Sequence, residues 1–202
     1  MPDDMMDEAG ERFRAAVARI DAANGEDPNR EMIGGVEQPK ELAYGERMSA
    51  WLERLAPDAS EALRLAARAQ HIRRWRIPRG DFPMDRAGYH RWRTTLYRFH
   101  ADTAGALLAE VGYDAATIAR VQALIRKEKL QSDPEMQMLE DVICLVFLEN
   151  YLAGFSAKHD AAKVVEIVRK TWRKMSPRGQ QAALALPLPP AARGLVERAL
   201  AP

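Results

Sequence analysis

The chain has 202 residues, 47% of them apolar and 29% charged, which is enough for one well-buried core, short for two independent domains, and unlike a disordered polymer. Its single cysteine, Cys144, excludes an intramolecular disulfide and any multi-cysteine zinc site. The net charge of +1 hides an asymmetry: residues 1–31 carry nine acids against four arginines, and residues 64–98 carry ten arginines against Asp81 and Asp85.

No apolar run reaches the length of a membrane span. The opening MPDDMMDEAGER is acidic and lacks the basic start and apolar core of a signal peptide, so the expected location is the cytoplasm, with no membrane partner. The arginine block facing an acidic arm reads in three ways: a site for an anionic partner, an internal electrostatic clasp, or a solvated helix face. Arginine suits the first, because its planar fork matches phosphate and carboxylate.

In chain order, Phe13, Ala16, Val17 and Ile20 predict a helix over 9–23 that Asn24-Gly25 ends. Residues 24–40, with Gly25, Pro28, Gly34, Gly35 and Pro39, read as an irregular connector. A second helix is predicted over 41–56, burying Leu42, Met48, Trp51, Leu52 and Leu55. The third starts at Asp58, with Glu61 completing a capping box, and runs to about Trp75 before Pro78 and Gly80.

Residues 86–111 form a long fourth helix stopped by Gly112, and Asp114 caps a fifth that turns Ile118, Val121, Leu124 and Ile125 inward. Asp133-Pro134 starts a sixth over 134–153, because proline at the first helical position loses no hydrogen bond. It carries the most apolar run, VICLVFL, and is expected to be central, with Cys144 as a small buried hydrophobe. A seventh spans 157–175, Ser176-Pro177 starts an eighth, and the last covers 190–200. No segment alternates as a strand does, so the expected fold is all-α. The expected organisation is one domain over 1–202: an acidic helix and connector (1–40), a core (41–175) and a C-terminal helical extension (176–202).

Chemistry concentrates in RAQHIRRWRIPRG (68–80) and YHRWRTTLYRFH (89–100). Trp75-Arg76, Trp92-Arg93 and Trp172-Arg173 offer rings that stack bases beside guanidiniums that hold phosphates, or equally core tryptophans whose neighbours snorkel to water. In the sixth helix Glu140 and Asp141 interrupt a buried stretch and Glu149 sits near its end. Such carboxylates are costly unless paired, with an arginine for instance, or metal-bound. In IDAANGEDPN, Asp21, Asn24 and Asp27 read as turn chemistry rather than a cation loop. No nucleophile elbow, phosphate-binding glycine loop, zincin helix or kinase signature is present, and Gly34-Gly35 carries no such meaning.

The order of polar residues resembles that of metal-dependent phosphohydrolases of the HD type, which are all-helical. LRLAARAQHIRRW lies where a helix ending in His-Asp would fall, and LEDVICLVF where a later aspartate would. The chain departs from that pattern: Gln70-His71 replaces His-Asp, Glu46-Arg47 stands where a histidine would, and Lys127 or Glu128 takes the place of an auxiliary histidine. The resemblance implies an HD-like arrangement in which Glu46, His71 and Asp141 bind a divalent metal or iron.

The motifs IDAANGEDPN, RAQHIRRWRIPRGDFP, YHRWR, LIRKEKL, MQMLEDVICLVFLENY and KTWRKMS, in order over residues 13–176, are similar to the family called domain of unknown function 4202. Members sometimes carry a glutamyl-tRNA synthetase label, which this chain does not support, since it has no nucleotide-binding Rossmann pattern.

The residues do not by themselves establish a reaction. The first expectation is a metal-assisted helical enzyme acting on a phosphate-bearing substrate, nucleotide or RNA. His71 and Asp141 would be catalytic, and Arg73, Arg74, Arg79, Arg91, Arg93, Lys127 and Lys129 would bind the substrate. The metal would polarise a water or the substrate. The rivals are a non-catalytic RNA-binding module, such as one for tRNA, that uses Trp75 or Trp92, and a scaffold whose arginines pair with its own acidic arm.

Overall fold

The computed structural model describes residues 2–128 and 132–201, with side chains from residue 8 onward. It is a mostly helical fold. Helix α1 spans Pro2–Gly25, longer than expected, and buries Ala16, Ile20 and Ala23.

The connector is more ordered than its composition suggested. Strands β1 (Arg30–Ile33) and β2 (Val36–Pro39) pair antiparallel with Ile33 opposite Val36. Gly34 and Gly35 thus form a two-residue loop, and both have positive φ, 57° and 85°. That is the conformation a tight hairpin needs for its turn to match the strand twist, and glycine adopts it without steric cost. Four-residue strands are too short to show alternation, so the all-α expectation missed this small ribbon.

Helix α2 (Lys40–Leu55) comes next and buries Tyr44, Met48, Trp51, Leu52 and Leu55. Its own N-cap, Pro39, has no side-chain hydrogen bond to give; instead Asp27 reaches across 14 residues and accepts the Glu41 N–H at 3.1 Å. Gly45 lets α2 cross the next helix closely, since a Cβ there would fall 2.9 Å from the Arg68 carbonyl oxygen.

Helix α3 (Glu61–Arg68) is capped by Ser60, not Asp58, and Glu61 is spent on the Tyr113 hydroxyl. It ends earlier than predicted. After Ala69 the chain makes successive turns and a 3₁₀ turn over Arg74–Arg76. Arg73 is in the left-handed region (φ 50°), and the Asn24 side-chain oxygen accepts its N–H at 3.0 Å. The buried Asn24 stands in the last turn of α1, not in a turn as read from sequence, and Asp27 stands just beyond the helix; what both hold lies elsewhere in the chain.

Helices α4 (Arg86–Glu110, capped by Asp85) and α5 (Ala115–Arg126, capped by Asp114) pack along each other. Helix α6 (Pro134–Val146) is central, touching α2, α3, α5, α8 and α9. It continues through a π turn over Phe147–Tyr151 into α7 (Leu152–Ser156). The extra residue in a π turn rotates the helix beyond it relative to the helix before it, a device common at functional sites. Helices α8 (Ala161–Lys174), α9 (Pro177–Leu184) and α10 (Pro190–Leu200) complete the fold: α8 and α9 lie on α6, and α10 lies on α8. Ile20, Met48, Leu65, Ile72, Leu108, Leu139 and Leu145, drawn from α1, α2, α3, the turns after it, α4 and α6, are among the fully buried core residues. Among the described residues no helix is long and apolar enough to cross a membrane.

Candidate functional site

A cavity of about 380 Å³ opens where α2, α4, α6, α8 and the segment after α3 meet. Helix α2 supplies Lys40, Glu41 and Tyr44; the turns after α3 supply Gln70, His71 and Arg74; α4 supplies Tyr89 and Arg93. Lys127 enters from the end of α5, Glu140 and Cys144 from α6, Phe147 and Tyr151 from the π turn, Thr171 and Lys174 from α8. Among the described residues five cationic side chains, two carboxyl groups and several aromatic rings therefore share the lining.

At one part of the wall His71 stacks on Tyr44, ring centroids 3.9 Å apart and planes 12° from parallel. Its Nδ1 lies 3.3 Å from Glu41 Oε2, and Arg74 Nε lies 4.0 Å from Glu41 Oε1. Burial raises the Glu41 carboxyl to about 7, with Arg74 and Lys40 opposing. Burial likewise holds His71 well below its ordinary value, helped by the positive charge of Arg74. Burial thus favours the neutral form of both partners, a neutral imidazole facing a carboxyl group that exchanges its proton near neutrality, the condition for proton transfer to or from a bound molecule. Behind His71, buried His100 rests its Nδ1 on the Ile72 carbonyl at 2.7 Å.

Elsewhere on the wall Glu140 holds two ammonium groups, Lys127 in direct hydrogen-bond contact and Lys174 at 3.5 Å. Burial pushes the Glu140 carboxyl up, but the two lysines outweigh it and keep it below the ordinary range. One carboxylate against two lysines leaves a positive charge over. Lys127 takes a left-handed conformation (φ 61°) at the end of α5, where glycine is normally favoured. Backbone strain of this kind persists where surrounding contacts hold it and gathers at functional sites. Arg93 hydrogen-bonds the Tyr97 hydroxyl and lies over that ring. Cys144 lines the cavity, but burial pushes its thiol up to about 12, so it is no nucleophile near neutrality. The Tyr151 hydroxyl accepts from Arg47 at 2.7 Å, and Arg47 also holds Glu31 of β1 at 2.7 Å.

Of the residues singled out from sequence, His71, Arg74, Arg93 and Lys127 meet in this cavity. The expected trio of Glu46, His71 and Asp141 is not assembled. Glu46 is half exposed and lies 3.9 Å from Arg68. Asp141 is buried but faces the start of α9, accepting the Ser176 N–H at 2.8 Å, the Ser176 hydroxyl and the Gln137 amide at 3.1 Å. It satisfies a helix terminus, a task open to a carboxylate without any counter-cation. Among the described residues no three His, Cys, Asp or Glu side chains gather as a metal site. Glu140 is paired, as one reading allowed, though with lysines rather than an arginine. Glu149 accepts the Trp51 indole N–H at 2.7 Å.

The remaining arginines go elsewhere. Arg73 pairs with Glu26, and Arg79 binds the Phe82 carbonyl and lies over Trp92. Trp92 also carries Arg74 on its ring and donates its N–H to the Ile77 carbonyl at 2.9 Å. Arg91 is exposed outside the cavity. Lys129 lies outside the described residues. The clasp is present in part: Arg68 holds Asp21 through two 2.6 Å bonds, and Arg73 holds Glu26.

Sequence reasoning missed Glu41, Tyr44, Tyr151 and Lys174 as site residues. Glu41 looks like an ordinary first-turn acid, favoured there by the helix dipole, and only the return of the chain through His71 gives it another partner. No curated protein and no solved structure matches the chain. The profile of one family, described only as a domain of unknown function, DUF4202, matches residues 14–196. By that match over nearly its whole length, the chain belongs to the DUF4202 family.

Proposed function

We propose that the chain binds a small phosphate-bearing molecule in this cavity and that Glu41 and His71 move a proton during its conversion. The observation that carries the reading is the convergence of Lys40, Arg74, Arg93, Lys127 and Lys174 on one concave site that also holds a proton-exchanging carboxyl group. Cations in a confined, partly desolvated wall attract phosphate far more strongly than the same charges on an open surface. Glu41, protonated for part of the time near neutrality, gives its proton to the leaving ester oxygen as the P–O bond breaks, while the water that bonds to phosphorus passes its own proton to neutral His71.

A concave site of this size favours a small molecule over a polymer. Of the two tryptophans on which the rival RNA reading relied, Trp75 and Trp92, the second is engaged within the chain: it donates its N–H to the Ile77 carbonyl and carries Arg74 and Arg79 on its ring. Among the described residues no ligand set is assembled for the metal expected from sequence.

The test is a thermal-shift and calorimetric comparison of wild type, Lys127→Ala and Lys174→Ala with inorganic phosphate and a panel of small phosphate monoesters. Selective stabilisation of wild type, weakened at least tenfold in both variants, supports the binding site; equal responses in all three proteins overturn it. Consumption of the bound ester, monitored by phosphorus NMR, should vanish in Glu41→Gln and His71→Ala. An ester that binds without ever being consumed removes the catalytic half and leaves a binding protein.

A further inference from the structure

The cavity wall contains an unmet hydrogen-bond requirement. Gln70 is 2% exposed and lines the cavity, and its buried side-chain oxygen has no hydrogen-bond partner among the described residues. A buried carbonyl oxygen without a donor is costly, and buried polar groups are almost always satisfied. Nothing in the local fold requires an amide there. The turns after α3 are held by backbone bonds, Ile72 to Ala69 and Arg74 to His71, each at 3.0 Å, and by the Asn24 clamp on Arg73. A leucine or methionine would fill the same volume without the penalty. The polar side chain has meaning if something entering the cavity brings the missing donor.

Any such ligand must also match the rest of the wall. It carries negative charge, to meet five cations. It also has a flat face, because the cavity presents Tyr44 stacked with His71 and, at the rim, Tyr89, a ring left 45% exposed. A carboxamide offers one acceptor and one donor side by side, the pattern that reads the edge of a nucleobase in a bidentate manner. A cavity of about 380 Å³ falls at the small end of the ~300–1,000 Å³ range of ligand pockets, which suits one nucleotide unit.

We infer that the ligand is a nucleoside monophosphate whose base edge is read by the buried Gln70 carboxamide, while Lys127, Lys174 and Arg93 hold its phosphate. This rests on the phosphate-binding reading above and adds to it the base and the residue that selects it. Gln70 is a specificity residue, and the proton-transfer pair of Glu41 and His71 lies beside it in the chain and across the wall.

The experiment is calorimetry on the full chain with the four common ribonucleoside monophosphates, with ribose 5-phosphate and with inorganic phosphate, for wild type, Gln70→Leu and Gln70→Ala. Wild type should bind at least one mononucleotide tenfold or more tightly than ribose 5-phosphate. Both Gln70 variants should lose that preference and bind ribose 5-phosphate as wild type does, and Gln70→Leu, which keeps the buried volume, should melt no lower, since an unsatisfied oxygen has gone. Equal binding of mononucleotides and ribose 5-phosphate by wild type overturns the inference, as does a preference that survives both substitutions. In those two cases the phosphate site itself still stands. Failure of every phosphate compound, including the inorganic ion, to bind wild type overturns both readings together.

Discussion

Asp27 accepts the backbone N–H of Glu41 at 3.1 Å through one carboxylate oxygen, while the other oxygen accepts from the backbone and side chain of Asn29 at 2.9 and 2.8 Å. A residue of the connector thus supplies the N-terminal cap that Pro39 does not provide, and it holds Glu41 at the cavity. Asp27→Ala should lower unfolding stability by about 1–2 kcal/mol, the usual loss for a helix cap. Asp27→Asn should recover part of it. Urea unfolding of the three proteins measures this, and an unchanged midpoint for Asp27→Ala would show that the cap is dispensable.

Glu41 makes its own pH signature. Its folded value of about 7 exceeds the ordinary 4.5 because burial outweighs Arg74 and Lys40, with Asp27 and Glu31 adding repulsion. The native state therefore holds a proton that the unfolded chain has released, and stability falls as pH rises from about 4.5 to 7. Glu41→Gln should remove that slope and raise stability at pH 8 by roughly 1–3 kcal/mol. Denaturation midpoints at pH 5 and pH 8 provide the check; parallel shifts at the two values would contradict it.

His100 has the opposite sign. Burial lowers it from 6.5 to about 3, with the Ile72 carbonyl resisting and Arg74 and Arg93 adding to the drop. The unfolded chain takes up a proton below pH 6.5 that the native state refuses, so stability declines as pH falls from about 6.5 towards 3. His100→Gln should flatten this acid limb by roughly 2–4 kcal/mol, leaving the share due to His71. Thermal melts between pH 4 and 7 would reveal an unaltered limb if the assignment is wrong.

Lys127 separates backbone cost from charge. Lys127→Gly and Lys127→Ala both remove the ammonium that contacts Glu140, but only alanine keeps a Cβ in the left-handed region. The glycine variant should be more stable than the alanine variant by about 1 kcal/mol, and both should lose phosphate binding equally. Equal stability of the two variants would remove the strain argument.

Asp141 tests structure against chemistry. Asp141→Ala leaves the Ser176 N–H and hydroxyl without their acceptor and should cost about 1–3 kcal/mol, yet phosphate affinity at the cavity should stay within twofold of wild type. A variant that keeps its stability but loses ligand binding would return Asp141 to the site.

The amino-acid sequence determined most of the helices, because their signals are local. Asp114, Asp133-Pro134 and Ser176-Pro177 cap helices where they stand, and apolar spacing identifies inward residues such as Val121, Leu124 and Ile125. It also marked His71, Arg74, Arg93 and Lys127 as chemistry-bearing, since clustered guanidiniums beside an imidazole stand out in any context. Tertiary structure decided the partners. Asp141 and Glu140 are chain neighbours on one helix, yet about 100° of helical rotation turns one towards the α9 terminus and the other into the cavity. Glu41 and His71 lie 30 positions apart, and they meet because Gly45 allows α2 to cross the end of α3 closely, which sets the turns that follow α3 against the start of α2. Periodicity reports which face of a helix is buried; which charge sits opposite depends on how the helices cross, and that is a property of the packed whole.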